Sequence, residues 1–152
     1  MESLYQKVKA FVESNPACKK GMSVLKSGTS IGVVLVPNYF CILRKDGKDF
    51  SFNKSESPEG DIVIYMQADA AKTLINLSQP SLAELGIEII KEIFLGRIDV
   101  EIKSSVFELG KKGYFKLPLS AGAPFLAFLA SHGMGQMSKV LQWIEEKRRK
   151  AG

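Results

Sequence analysis

Most of the residue types that carry covalent or metal chemistry are scarce in this chain. Its 152 residues include one histidine, one tryptophan and two cysteines. Cys18 and Cys41 are too few for a disulfide framework, so a reduced, cytoplasmic setting is the simpler expectation. His132 and two cysteines far from it in sequence supply no metal-ligand spacing, and neither a metal nor any other cofactor is expected. Long apolar runs are missing too. The strongest one, residues 124–130, is well short of the roughly 20 residues a membrane-spanning helix needs. The N-terminus opens MESLYQKVKA, charged where a secretory signal would be apolar. The sequons at Asn53 and Asn76 are then expected to be incidental.

Catalytic constellations are equally thin. General-base chemistry at His132 would need a nucleophile or an orienting partner, and its neighbour Ser131 is expected on a different side of the backbone. Asp61, Asp69, Asp99 and Glu101 form no convincing carboxylate pair: Asp69 reads as a helix cap, and Asp99 and Glu101 share the solvent side of a strand. Gly133-Met134-Gly135 resembles a fragment of a dinucleotide turn. That turn has to follow a buried strand and lead to a second one, and no strand pattern follows it here. The chain does not read as an enzyme.

What is present is ordinary globular material. Hydrophobic residues make up 45% and charged residues 24%, enough for a core and against disorder. The length fits a single domain over 1–152. A formal charge of +5 invites an anionic partner. The cations are dispersed, however, with clusters only at Lys147, Arg148, Arg149 and Lys150 and at Lys19-Lys20. A cationic helix end satisfies the helix dipole without any partner. Basic strand faces interleaved with exposed aromatics are lacking, which argues against nucleic acid.

Periodicity sets the elements. Leu4, Val8, Phe11 and Val12 share one helical face, and Asn15-Pro16 ends that first helix, so its range is 1–15. Residues 17–28 predict a short helix or turn. Residues 31–36 and 39–44 predict strands around a turn at Pro37-Asn38, and Asp46-Gly47 a hairpin into 48–53. Residues 61–67 predict a strand covered on both faces, or covered on one by helix side chains and on the other by a ligand. Asp69 is expected to cap a helix through Leu77, and Ser81 with Glu84 spells a capping box for a helix to Gly96. Ile98, Val100 and Ile102 alternate with charges as a half-buried strand. Residues 106–109 and 114–117 flank Gly110-Lys111-Lys112-Gly113 as a second hairpin-like unit. From Pro118 the pattern is helical, with Met137, Val140, Leu141 and Ile144 in one stripe and Glu145–Arg149 and Glu146–Lys150 as supporting pairs. Hairpin-joined strands interrupted by helices predict an α+β sheet layered by helices.

Three pieces resemble the sterol carrier protein 2 (SCP2-like) family: the hairpin CILRKDGKDFSF, the strand-into-helix unit DIVIYMQADAAKTLINL, and EIFLGRIDVEIK, a helix ending in a Gly-basic pair before a strand. They fall within residues 30–117. There are departures. The family's second Phe-x-x-Gly-Lys stretch before a last strand has its nearest match at Phe107 to Lys111, in an uncertain register, and the helical region 78–94 is longer than expected. The resemblance implies a curved, mostly antiparallel five-stranded sheet covered by helices. It also implies an apolar tunnel for sterols, fatty acids or their CoA esters, lined generally rather than by a transferable motif.

The C-terminal stretch 121–143 is the candidate site. Phe125, Leu126, Phe128, Leu129, Met134, Met137 and Leu141, with Phe94, Phe107 and Phe115 from preceding elements, fit either plain core or the lining of a pocket. Unbranched methionine suits both. The glycines at 133 and 135 are expected to break the helix so that residues 125–129 fold over the sheet. Two functions follow: non-enzymatic carriage of an apolar ligand, with transient contact between basic residues and ligand phosphate or anionic membrane, or an interaction module that uses the C-terminal segment as a dimer or partner interface. The chain is expected to be a monomer or a homodimer.

Overall fold

Asp46-Gly47 turns the chain as its sequence demands, with Gly47 at φ 62° joining two antiparallel strands. Around that hairpin a computed structural model describes residues 1–151, apart from the side chains of Met137, Arg149, Lys150 and Ala151. The chain opens with α1 (Glu2–Ser14) and α2 (Pro16–Ser23), followed by β1 (Ser30–Leu35), β2 (Tyr39–Asp46), β3 (Asp49–Lys54) and β4 (Ile62–Met66). Next come α3 (Ala68–Ile75), α4 (Leu82–Phe94) and β5 (Ile98–Ile102). The chain then continues through α5 (Val106–Lys111), α6 (Lys116–Ala121), α7 (Ala123–Ser131) and α8 (Met137–Ala151). This is an α+β protein built on one five-stranded sheet of order β3-β2-β1-β4-β5. All pairings are antiparallel except β1 with β4.

Strand alternation divides the sheet. Ile31, Val33 and Leu35 of β1 and Ile62, Ile64 and Met66 of β4 are register partners on the helix-covered face. On the reverse face Gly32, with Val63 beside it, lies beneath the short connection from β3 to β4. That connection must cross two strands within residues 55–61, so it hugs the sheet. Gly32 makes this possible: a Cβ there would lie 2.3 Å from the Glu59 carbonyl oxygen. On that face of β4 Val63 is fully buried, while Tyr65 is half-buried with its hydroxyl on Glu101.

Caps behave as their side chains dictate in two places. Asn15 accepts hydrogen bonds from the Ala17 and Cys18 amides, with Pro16 at the first helical position of α2. Ser81 and Glu84 close a reciprocal capping box on α4.

Two expectations are corrected. Asp69 is not the cap of α3. β4 runs almost directly into that helix with Gln67 as N-cap, which puts Asp69 in the first turn, where its charge complements the helix dipole. Residues 106–117 form no hairpin but two short helices, α5 and α6, leaving β5 as the last strand. Ser105 accepts from the Glu108 amide at 3.1 Å and so nucleates α5, with Leu109 buried one turn in. The Phe107 to Lys111 stretch thus lies in a helix rather than ahead of a final strand.

Candidate functional site

The helix-covered face of the sheet carries two apolar cavities. The larger, ≈ 260 Å³, lies over the C-terminal half. Its floor is Ile62 of β4 and Ile102 of β5. α4 contributes Ile90, Ile93 and Phe94, α5 and α6 contribute Leu109, Leu117 and Pro118, and Tyr114 and Phe115 come from the link between those two helices. Phe125 and Leu129 of α7, Met134 in the following link, and Val140, Trp143 and Ile144 of α8 close it. The polar atoms borne by this lining are one phenol hydroxyl and one indole N–H.

The phenol is turned out of the cavity. Tyr114 is buried, and its hydroxyl donates to Asp61 Oδ2 at 3.1 Å. Asp61, itself buried, also accepts from Lys112 Nζ at 2.6 Å, Ser104 Oγ at 2.9 Å and the Ser30 amide at 3.1 Å. One carboxylate therefore ties together the start of β1, the end of β5 and the α5–α6 link that walls the cavity. Burial alone would raise the Asp61 carboxyl, but the hydrogen bonds from Lys112, Ser30 and Ser104 outweigh it and hold it below the ordinary carboxylate range. Burial, and then the Asp61 charge, push the Tyr114 phenol up, so it stays a neutral donor.

The other buried charges are also committed. Both Glu92 carboxylate oxygens accept from Arg97, at 2.5 and 2.7 Å, and Lys45 Nζ donates to the Met22 carbonyl. Burial pushes the thiols of Cys18 and Cys41 up to about 11, far from thiolate reactivity at neutral pH. Among the described residues no group of histidine, cysteine, aspartate and glutamate is arranged to hold a metal ion. None of their helices is long and apolar enough to cross a membrane.

α7 does not fold directly over the sheet, contrary to the sequence expectation. It packs on α4, where Phe125 and Leu129 form a second small apolar cluster with Ala83. Gly86 permits this approach, since a Cβ there would lie 2.7 Å from Phe125 Cε1. The break between α7 and α8 does fall at the expected glycines, with Gly133 at φ 75°. Ser131 and His132 also meet rather than diverge: Oγ and Nδ1 are 3.0 Å apart, and both contact the Phe128 carbonyl. The pair is exposed and serves the end of α7.

Of the residues singled out from sequence, Phe94, Phe115, Phe125, Leu129 and Met134 come together around this cavity. Leu141 packs against the main core instead. Phe128 lies against the His132 ring at 4.4 Å between centroids. Leu126 is exposed, and Phe107 is 71% exposed with Lys111 over its ring. The Met137 side chain lies outside the described residues, as do those of Arg149 and Lys150 and hence both expected pairs at the end of α8. Lys147 is engaged by Asp99 and Arg148 contacts Glu145.

The second cavity, ≈ 220 Å³, was not anticipated. It lies under α1, α2, α3 and the first half of α4, over Ile31, Val33, Leu43, Phe52, Ile64 and Met66. Its lining was legible as core from strand alternation and from the α1 stripe, but no local pattern distinguishes a core from a core with a hole in it.

No family model matches the chain, and no curated protein matches it. Solved structures do. A UbiJ-SCP2 ubiquinone synthesis protein aligns at TM-score 0.44 and 16% identity, over 79% of this chain and 93% of its own. The sterol carrier protein domain 2 of Helicoverpa armigera aligns at TM-score 0.44 and 13% identity, over 80% and 87%. Apo sterol carrier protein 2 from Yarrowia lipolytica aligns at TM-score 0.34 and 18% identity, over 74% and 87%. These bear the family name that the three sequence pieces resemble. The ligand chemistry is read from the cavity itself.

Proposed function

We propose that this chain is a non-enzymatic carrier of an apolar ligand, of the fatty acid, fatty acyl-CoA or sterol-like class, held between the sheet and the C-terminal helices. The observation that carries the reading is the cavity of ≈ 260 Å³ whose lining is apolar apart from the Trp143 indole N–H, with the Tyr114 hydroxyl drawn away to Asp61. Such a site can desolvate a hydrocarbon and offers no positioned acid, base or nucleophile. Phe94, Phe115, Phe125, Leu129 and Met134 would touch the ligand.

Each enclosed methylene contributes ~0.8 kcal/mol, so affinity should climb about fourfold per methylene until the cavity is full. A charged headgroup would stay at the surface, where the overall +5 charge favours an anion and brief contact with anionic membrane. A reduced, cytoplasmic setting suits a protein whose two cysteines are free thiols.

Native mass spectrometry of the purified chain, followed by denaturing extraction, tests the proposal. A discrete added mass that extracts as fatty acid, acyl-CoA or another lipid is the expected result. A clean apo mass together with no measurable affinity for fatty acids would overturn it, and an apo dimer would point to the C-terminal segment as an interface instead.

A further inference from the structure

We propose that Leu117 is a partition between the two cavities, and that a long-chain ligand displaces it to occupy both as one bent tunnel. This inference rests on the carrier reading above. Three observations bring the cavities together at one boundary. On the floor, Ile31 lines the N-terminal cavity and Ile62 the C-terminal one, and the two are register partners on adjacent strands, about 4.8 Å apart. On α4, Ile89 lines the first cavity and Ile90 the second. Among the described residues, Leu117 is the one that lines both.

Size gives the partition a purpose. At ≈ 220 and ≈ 260 Å³ neither cavity alone reaches the range typical of ligand sites, roughly 300–1,000 Å³. The two joined exceed its lower bound. Leu117 is half-buried on the two-turn helix α6, and its Cδ2 lies 3.8 Å from where a Cβ on Gly21 of α2 would stand. On the α2 side Leu117 therefore faces a glycine, a surface it shares with Leu82 of α4, whose Cδ1 lies 3.4 Å from the same point. A leucine has alternative staggered rotamers on a helix, and a rotamer change here exchanges a wall for a passage. Chain length, rather than headgroup, would then be what this residue selects.

The test is a titration of octanoate and hexadecanoate against the wild type, Leu117→Trp and Leu117→Ala, with far-UV circular dichroism to confirm folding. Wild type should bind both and favour hexadecanoate. Leu117→Trp should weaken hexadecanoate about tenfold or more beyond any change in octanoate, the worth of two or so displaced methylenes. Leu117→Ala should tighten hexadecanoate selectively, and it decides the matter if the tryptophan variant fails to fold. If both variants change the two ligands in parallel, or neither changes hexadecanoate, the partition is overturned while octanoate binding keeps the carrier reading intact. If wild type binds neither chain, both proposals fall.

Discussion

The Tyr114 ring faces the C-terminal cavity while its hydroxyl donates to the buried Asp61 carboxylate 3.1 Å away, so one side chain serves both the apolar lining and the polar clasp behind it. Asp61 in turn spans β1, β5 and the α5–α6 link through Ser30, Ser104 and Lys112. The cavity wall is therefore fastened to the sheet by a charge rather than by packing alone.

Asp61→Asn removes the charge from a carboxylate only 6% exposed and leaves the Lys112 ammonium without its counterion. Breaking one side of a buried pair is costly, and we expect a loss of about 2 kcal/mol by urea denaturation. Asp61→Asn as stable as wild type would show that the clasp holds nothing.

The same carboxylate sets an acid limit. Its folded pKa lies below the unfolded value, so its stabilisation is complete above about pH 4 and is lost as pH falls through the folded pKa. Melting temperature should drop below that pH, and more gently in Asp61→Asn. Glu2 and Glu13, also depressed, add their own share to the wild-type slope in both proteins. Superimposable acid limbs in the two proteins would contradict this assignment.

Gly86→Ala sets helix propensity against packing. Alanine favours α4 by up to about 1 kcal/mol, but its Cβ would meet the Phe125 ring, and overpacking costs ~1–3 kcal/mol. A net loss of about 1 kcal/mol is expected, with weaker binding of a fatty-acid probe because Phe125 is pushed into the cavity. Calorimetric melts and a probe titration read both effects, and an unchanged affinity would place Phe125 outside the binding wall.

Phe125→Ala and Phe107→Ser make a matched pair. The first empties a buried ring position and should cost ~3 kcal/mol and most of the ligand affinity. The second replaces an exposed ring and should shift stability by no more than about 0.5 kcal/mol, with affinity unchanged. A Phe107→Ser variant that binds poorly would mean that α5 contributes to the site after all.

Local chemistry accounts for what was legible in the sequence. Gly47 in the hairpin, the Asn15 and Ser81 caps, and the strict alternation of β5 all act within a few residues, so the code for them is short-range. The helices α5 and α6 were misread although Ser105 and Glu108 repeat the Ser-x-x-Glu spacing of Ser81 and Glu84. The Gly-Lys-Lys-Gly stretch looked like a tight turn and masked that signal. Deciding between them took Asp61, far away in sequence, gripping Lys112 and Tyr114.

The site divides in the same way. Sequence alone marked Phe115, Phe125, Leu129 and Met134 as candidates for burial, because large apolar side chains gain by leaving water in proportion to their area. It could not separate them from Phe107 and Leu126, equally apolar and left exposed. Only the tertiary structure decided that, since exposure depends on which helices meet: Gly86 lets Phe125 seat against α4, whereas Phe107 is left 71% exposed with only Lys111 of its own helix shown over its ring. The two cavities and their shared Leu117 belong to the tertiary structure as well. A void is set by how distant side chains fail to fill the space between them, and no stretch of sequence encodes that by itself.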